Sequence, residues 1–335
     1  MPIRRSQALA AVFAFSTLLL SLAVAEDVRV VGNMARAAEP IQPAAVQSMA
    51  VQSPADLWID TITGEKEDFP DVVEDLSKVD VIFLGERHTI PRHHDLQAKV
   101  VSALGNKNIP FALGLEQMES EQQPKLDRFN RGEIDFDRLA KETDWSKRWN
   151  NYAQYAPILK AAQKAHAPVV ALNARAETIR QVARGGGVER LSAELRKQLP
   201  ARMQLADPVY EKLLSMQLMV HMAAKPEVLR PMIEAQMVRD EAMAESLAAF
   251  RKTDSTPYRK MIVLCGSGHI AYGLGLPARV RARLPQAKQR IIIFSEEGDL
   301  KLTPEEQAQA RQVSITHQQL RELDRPLADY IVVKR

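Results

Sequence analysis

Val79-Asp80-Val81-Ile82-Phe83-Leu84-Gly85-Glu86-Arg87-His88, followed closely by His93 and His94, decides how the rest of the chain is read. The apolar run from Val79 to Leu84 is short, β-branched and aromatic, and Gly85 bounds it, so it predicts a buried strand. Beyond it Thr89 and Pro91 mark a helix start, with Leu96, Val100, Val101 and Leu104 at helical spacing. Glu86 and His88 thus leave the C-terminal end of a strand, and His93 and His94 fall in the first turn of the next helix. In open α/β sheets that crevice is where ligands bind.

The same pattern recurs along the chain. Phe111 to Glu116, Pro168 to Asn173 and Met261 to Cys265 read as further core strands, and Ile291 to Phe294 and Tyr330 to Val333 as two more. A strand-turn-strand over Asp60 to Asp68, bending at Thr63 to Lys66, precedes them. Strand-like and helix-like segments alternate, which predicts an α/β fold around a mixed, largely parallel sheet flanked by helices. Four strands end at polar groups: Glu86 with His88, Glu116, Asn173 with Arg175, and Gly266-Ser267-Gly268-His269. If those strands are parallel, all four ends face one crevice.

A helical insertion spans about 208–251 and is rich in methionine, which suits either an ordinary core or an adaptable apolar pocket. Within it Ile233, Met237, Asp240, Ala244 and Leu247 alternate at spacings of four and three, so Asp240 lies on an apolar stripe. A carboxylate there requires a partner, and Arg239 beside it projects elsewhere on the wheel, which places the partner across the crevice. A structural ion pair and a functional role both satisfy that requirement. Gly185-Gly186-Gly187 marks a turn, and the charged stretch after it reads as a solvated helix.

Composition narrows the chemistry. The 335 residues are 46% hydrophobic and 26% charged, enough apolar material for a sizeable core. Arg4 and Arg5 precede an apolar segment from Ala8 to Val24 that ends in Ala23-Val24-Ala25, the layout of a cleaved secretory signal. Residues 1–25 are thus expected to be removed, 26–52 to form a poorly ordered leader, and 53–335 to form one domain of an exported, periplasmic or secreted protein. No stable membrane span is expected in the mature chain. No cysteine stands near the cleavage point to carry a lipid. The formal charge of +3 falls by two to +1 once Arg4 and Arg5 are lost, so nucleic acid is excluded as a partner. Cys265 is the only cysteine, which excludes Cys-rich zinc or iron–sulfur sites. What remains to hold a metal is His, carboxylate, Tyr or a cofactor, and Glu86, His88, His93, His94, Glu116 and His269 are the residue types a first-row divalent metal prefers.

Gly85-Glu86-Arg87-His88 with His93-His94, Leu115-Glu116, Gln236 with Arg239-Asp240-Glu241, Gly266-Ser267-Gly268-His269 and Gly275-Leu276-Pro277, in that order over about 71–295, resemble the ChaN family. That family comprises haem-binding uptake proteins in the superfamily of Tiki proteases, TraB proteins and erythromycin esterases. The resemblance implies haem as cofactor and partner, a role in haem or iron acquisition, and a homodimer around the haem. It also implies a tyrosine on the iron, for which Tyr272 is the first candidate and Tyr210 the second, with Arg239 and Arg175 as pocket support. Tiki-like relatives imply an alternative: a divalent metal held by the paired Gly-x-x-His residues His88 and His269, with Glu86 or Glu116 as general base in peptide or ester hydrolysis, and His93, His94 or Asp240 completing the site. A third reading is a non-catalytic module whose His/Glu cluster only fixes the sheet.

Overall fold

The computed structural model describes residues 56–221, 226–256, 259–295 and 325–334. The expected signal segment and leader lie outside the described residues. The chain opens with β1 (Leu57–Asp60) and β2 (Lys66–Glu67), the expected strand-turn-strand, then α1 (Phe69–Leu76), β3 (Val81–Glu86) and α2 (Pro91–Asn106). β4 (Phe111–Glu119) is followed by α3 (Gln123–Asn130), α4 (Phe136–Glu142), α5 (Trp145–Arg148) and α6 (Ala156–Lys164), which lead into β5 (Val169–Asn173). Then come α7 (Ala176–Gly185), α8 (Ala193–Arg196), α9 (Pro208–His221) and α10 (Pro226–Thr253), and after them β6 (Lys260–Gly266), α11 (Leu276–Arg283), β7 (Gln289–Phe294) and β8 (Tyr330–Val333).

The strands form one eight-stranded sheet in the order β2-β1-β8-β7-β3-β6-β4-β5. All neighbours from β8 to β5 pair in parallel, and only β1 runs against β2 and β8. The largely parallel α/β architecture expected from the alternation is therefore borne out. Side chains alternate across the sheet. Ile82 and Leu84 of β3, with Leu113 and Leu115 of β4, pack into a core with α1 to α6. Val81 and Phe83, with Val263 and Cys265, pack into a second core with α9, α10 and α11. Burial on both faces is why these strands read as continuous apolar runs.

Three local expectations change. Gly85 and Glu86 lie inside β3, because the ladder with β6 continues as far as Glu86 opposite Gly266. Gly85 fits because an added Cβ there would stand 2.7 Å from Ile270. β4 likewise continues past Glu116 to Glu119, where it pairs with Asn173 beyond a register shift. The charged stretch after the glycines forms a 3-10 turn over Val188–Arg190 and the single turn of α8 rather than one continuous helix. Met237 and Met243 are fully buried in the second core, so they contribute packing there rather than an open pocket.

Candidate functional site

Parallel pairing in the order β3-β6-β4-β5 carries the four polar strand ends to one edge of the sheet. Side-chain alternation then sorts the two central carboxylates. Glu86 follows Ile82 and Leu84 onto the α2 and α6 face, whereas Glu116 stands out of phase with Leu113 and Leu115 and faces α10. Each becomes the centre of a buried polar network.

On the first face Glu86 accepts four hydrogen bonds and faces a second imidazole. Oε1 takes His88 Nδ1 at 2.6 Å, Gln117 Nε2 at 3.1 Å and the Tyr155 hydroxyl. Oε2 takes Gln97 Nε2 at 2.6 Å and faces His94 Nδ1 at 3.3 Å. Burial alone would raise the Glu86 pKa, but His88 and His94 hold it well below the usual carboxylate range. Burial also works against a charge on His94, yet Glu86 outweighs it and the His94 pKa is raised. His94 Nε2 donates to the His88 carbonyl at 2.9 Å, which fixes the turn between strand and helix. His93 does a different job. Its Nδ1 accepts the Arg87 backbone N–H at 2.9 Å, and burial pushes its pKa down to about 3, so it stays neutral.

On the second face His269 lies between two carboxylates, with Nδ1 2.6 Å from Asp240 and Nε2 3.2 Å from Glu116. Burial opposes its charge, but Glu116 and Asp240 raise its pKa to about 10, so His269 is an imidazolium at neutral pH. Burial would likewise raise Glu116, yet His269 brings it down to about 2, and the Gly266 N–H donates to it at 2.6 Å. Asp240 thus has its partner across the crevice, as its place on the apolar stripe required. It also accepts the Tyr210 hydroxyl at 2.7 Å.

Gly275 closes this network from below. Its φ of 57° and ψ of −128° suit only glycine, and an added Cβ would stand 2.4 Å from the His269 carbonyl and 2.7 Å from the Tyr210 hydroxyl. Gly275→Ala is therefore expected to cost about 3 kcal/mol of stability, read from thermal unfolding; an unchanged melting temperature would contradict the packing described.

The two networks meet at Glu116, whose Oε1 is 3.2 Å from His269 and 4.0 Å from His88 Nε2. The paired Gly-x-x-His residues do converge, but around a carboxylate. Both nitrogens of His269 are taken by carboxylates, and among the described residues no group of three or more His, Cys, Asp or Glu is arranged to hold a metal ion. The donor set therefore does not fit the divalent metal that the alternative reading needs. Glu86 and Glu116 are also poor general bases at neutral pH, since a carboxylate held this low takes up a proton weakly. His88 is the residue that faces both carboxylates. Glu86 holds its Nδ1, Trp149 packs edge-on to its ring at 4.7 Å, and Nε2 has no hydrogen-bond partner among the described residues.

A cavity of about 310 Å³ opens beside Glu116 at the ends of β4 and β5, and both Arg175 and Arg239 line it. Of the two tyrosines, Tyr210 is fully buried with its hydroxyl committed to Asp240, which takes it out of reach of an external ligand. Tyr272 is half-buried on the second core, and its N–H donates to the Leu327 carbonyl at 2.8 Å. The residues that sequence reasoning missed are Gln97, Gln117 and Tyr155. Gln97 shares a helical face with Val101 and Leu104 and could have been found as Asp240 was; Tyr155 carries no local signal.

The profile of the family "Haem-binding uptake, Tiki superfamily, ChaN" matches residues 72–280, a span that holds both networks and Tyr272. The chain belongs to the ChaN family. Among solved structures, ChaN of Campylobacter jejuni with cofacially bound haem superposes with a TM-score of 0.62 at 21% identity, covering 84% of this chain and 97% of that one. The likeness supports the fold assigned above. The type III effector HopBA1 (TM-score 0.38, 13% identity, 79% of this chain and 91% of that one) and a mutant of the erythromycin esterase EreC in its open conformation (0.42, 12%, 74% and 80%) are more distant. A search of the curated proteins returned no match. Among the described residues no helix is long and apolar enough to cross a membrane.

Proposed function

We propose that this ChaN-family protein is exported, binds haem through Tyr272 and serves haem or iron uptake. Family membership across residues 72–280 is the observation that carries the reading. Tyr272 adds a structural one. It holds φ at 60°, a left-handed conformation that disfavours any side chain, and such strain in a loop often marks a functional position. The hydrogen bond from its N–H to Leu327 and that from Gly273 N–H to Ile270 hold the strained turn in place. Its hydroxyl makes no hydrogen bond among the described residues, its pKa is raised by burial, and Arg325 reaches the Tyr272 carbonyl at 3.4 Å. Haem would bring a ferric iron for which a phenolate is a hard anionic donor. A cofacial pair of haems like that named for the Campylobacter protein would set two copies of the chain face to face.

Hemin titrated into the mature protein is expected to give a saturable Soret shift that disappears in Tyr272→Phe and persists in Tyr210→Phe. A wild-type spectrum identical to that of free hemin would overturn the reading. Export is tested by the mass of the protein recovered outside the cytoplasm, which is expected to begin at Glu26.

A further inference from the structure

One charge is left over when the partners at the sheet edge are counted. The cavity beside Glu116 is lined by charges of both signs, and its acids are already engaged. Glu116 is held by His269 and the Gly266 N–H, Glu119 by Arg148, Glu121 by Arg175 at 2.9 Å, and Glu177 by Arg180. Lys147 at the rim is paired with Asp144 at 2.7 Å. Arg239 projects from α10 into the same cavity and makes no hydrogen bond or ion pair among the described residues. It is half-buried, and its nitrogens are not among those sealed from the cavity. Burial works against its charge and lowers its pKa, although the anions Glu116, Asp240 and Glu119 act the other way. A guanidinium so placed gains most from an anion that arrives from outside.

The first turn of α7 borders the cavity independently. Ala176 and Glu177 line it, the helix runs ten residues, and Arg175 at the N-cap position supplies no side-chain cap. The N–H groups of that turn, with the helix dipole behind them, favour negative charge. The four carboxylates in the walls oppose a doubly charged ligand, so a singly charged carboxylate suits the cavity better than a phosphate dianion. Its volume of about 310 Å³ is at the low end for small-molecule sites, and its walls are charged. It therefore takes a small acid or the charged end of a larger molecule, not the flat apolar body of a macrocycle.

We propose that this cavity is a carboxylate-binding site, anchored by the Arg239 guanidinium and completed by the N-terminus of α7. The carboxylate comes either from a free small acid or from a propionate of haem, and only the second source rests on the haem-binding reading. Sodium propionate titrated into the haem-free full chain separates the two, followed by melting temperature and by the NMR signal of the Arg239 Nε–H. In parallel, hemin and its dimethyl ester are titrated and followed by the Soret band. Propionate is expected to raise the melting temperature and shift the Arg239 signal. Its affinity should fall about tenfold or more in Arg239→Gln and by less in Arg239→Lys, which keeps the charge but not the planar fork.

If free propionate does nothing, while hemin binds about tenfold more tightly than its ester and Arg239→Gln removes that advantage, the site holds and the acid is haem's own. If hemin fails to bind at all, the free-acid result still decides the site, so the two readings fail separately. No response to propionate, together with equal binding of hemin and ester in wild type and Arg239→Gln, overturns the proposal. So does a fall in the ligand-free melting temperature of both variants, which would mark Arg239 as a structural charge.

Discussion

Glu86→Ala is expected to lower the unfolding free energy by about 4 kcal/mol, because it leaves the buried groups that converge on one carboxylate without their acceptor. Gln97, Gln117 and the Tyr155 hydroxyl would each keep a buried donor with no partner, and His88 and His94 would lose the charge that holds them. Typical domains have only about 5–15 kcal/mol in total, so the loss would be visible as a large drop in the urea midpoint. Glu86→Gln keeps the shape but turns one acceptor into a donor facing other donors, so about half that loss is expected. If Glu86→Ala costs less than about 1 kcal/mol, the carboxylate is not the centre of the first network. The prediction matters for function because it separates two roles. A residue that fixes the crevice should reduce stability and haem binding together, whereas a dedicated general base would reduce only a reaction.

Raising the pH should weaken the fold through His269. Its folded pKa of about 10 stands above the unfolded value of 6.5, so between those values the native state binds more protons than the unfolded one. The stabilisation is full below pH 6.5 and is lost as pH rises through about 10, with a slope of up to about 1.4 kcal/mol per pH unit from this one proton. The raised His94 pKa acts in the same direction. Glu116 acts at the other end. Its stabilisation is present above the unfolded 4.5 and fades as pH falls through about 2. Urea unfolding followed across the alkaline range is expected to show the decline. A long-range nitrogen correlation spectrum at pH 8 should show His269 with both ring nitrogens protonated. A neutral His269 ring at that pH would refute the ion-pair assignment between Asp240 and Glu116.

Much of the frame was legible before any coordinates. The apolar runs at Val81, Val169, Met261 and Ile291 are short, bounded and β-branched, so local preference alone marks them as strands, and the run at Phe111 is marked by its apolar character and by Pro110 before it. Alternation with helical segments implies a largely parallel sheet, and Asp240 on an apolar stripe demands a buried partner. Each of these is a property of residues near one another in sequence, which is why it can be read there. Strand ends were less secure. Whether β3 stops at Leu84 or runs on to Glu86 depends on a ladder with β6, whose residues lie far along the chain.

The site itself required the tertiary structure. The order β3-β6-β4-β5 brings His269, just past the end of β6, beside Glu116 of the neighbouring β4 and against Asp240 of α10, and strand order is not encoded in any local pattern. The two-residue alternation then sends Glu86 to the α2 face and Glu116 to the α10 face, dividing what reads as one histidine-carboxylate cluster into two networks. The sequence alone thus determined the residue types available and the strands that carry them. Only the packing of both faces decided that His88 and His269 converge on Glu116, that Tyr210 is sealed while Tyr272 is not, and that Arg239 is left without a partner among the described residues. Those outcomes depend on distances between elements far apart along the chain, which only the closed sheet sets.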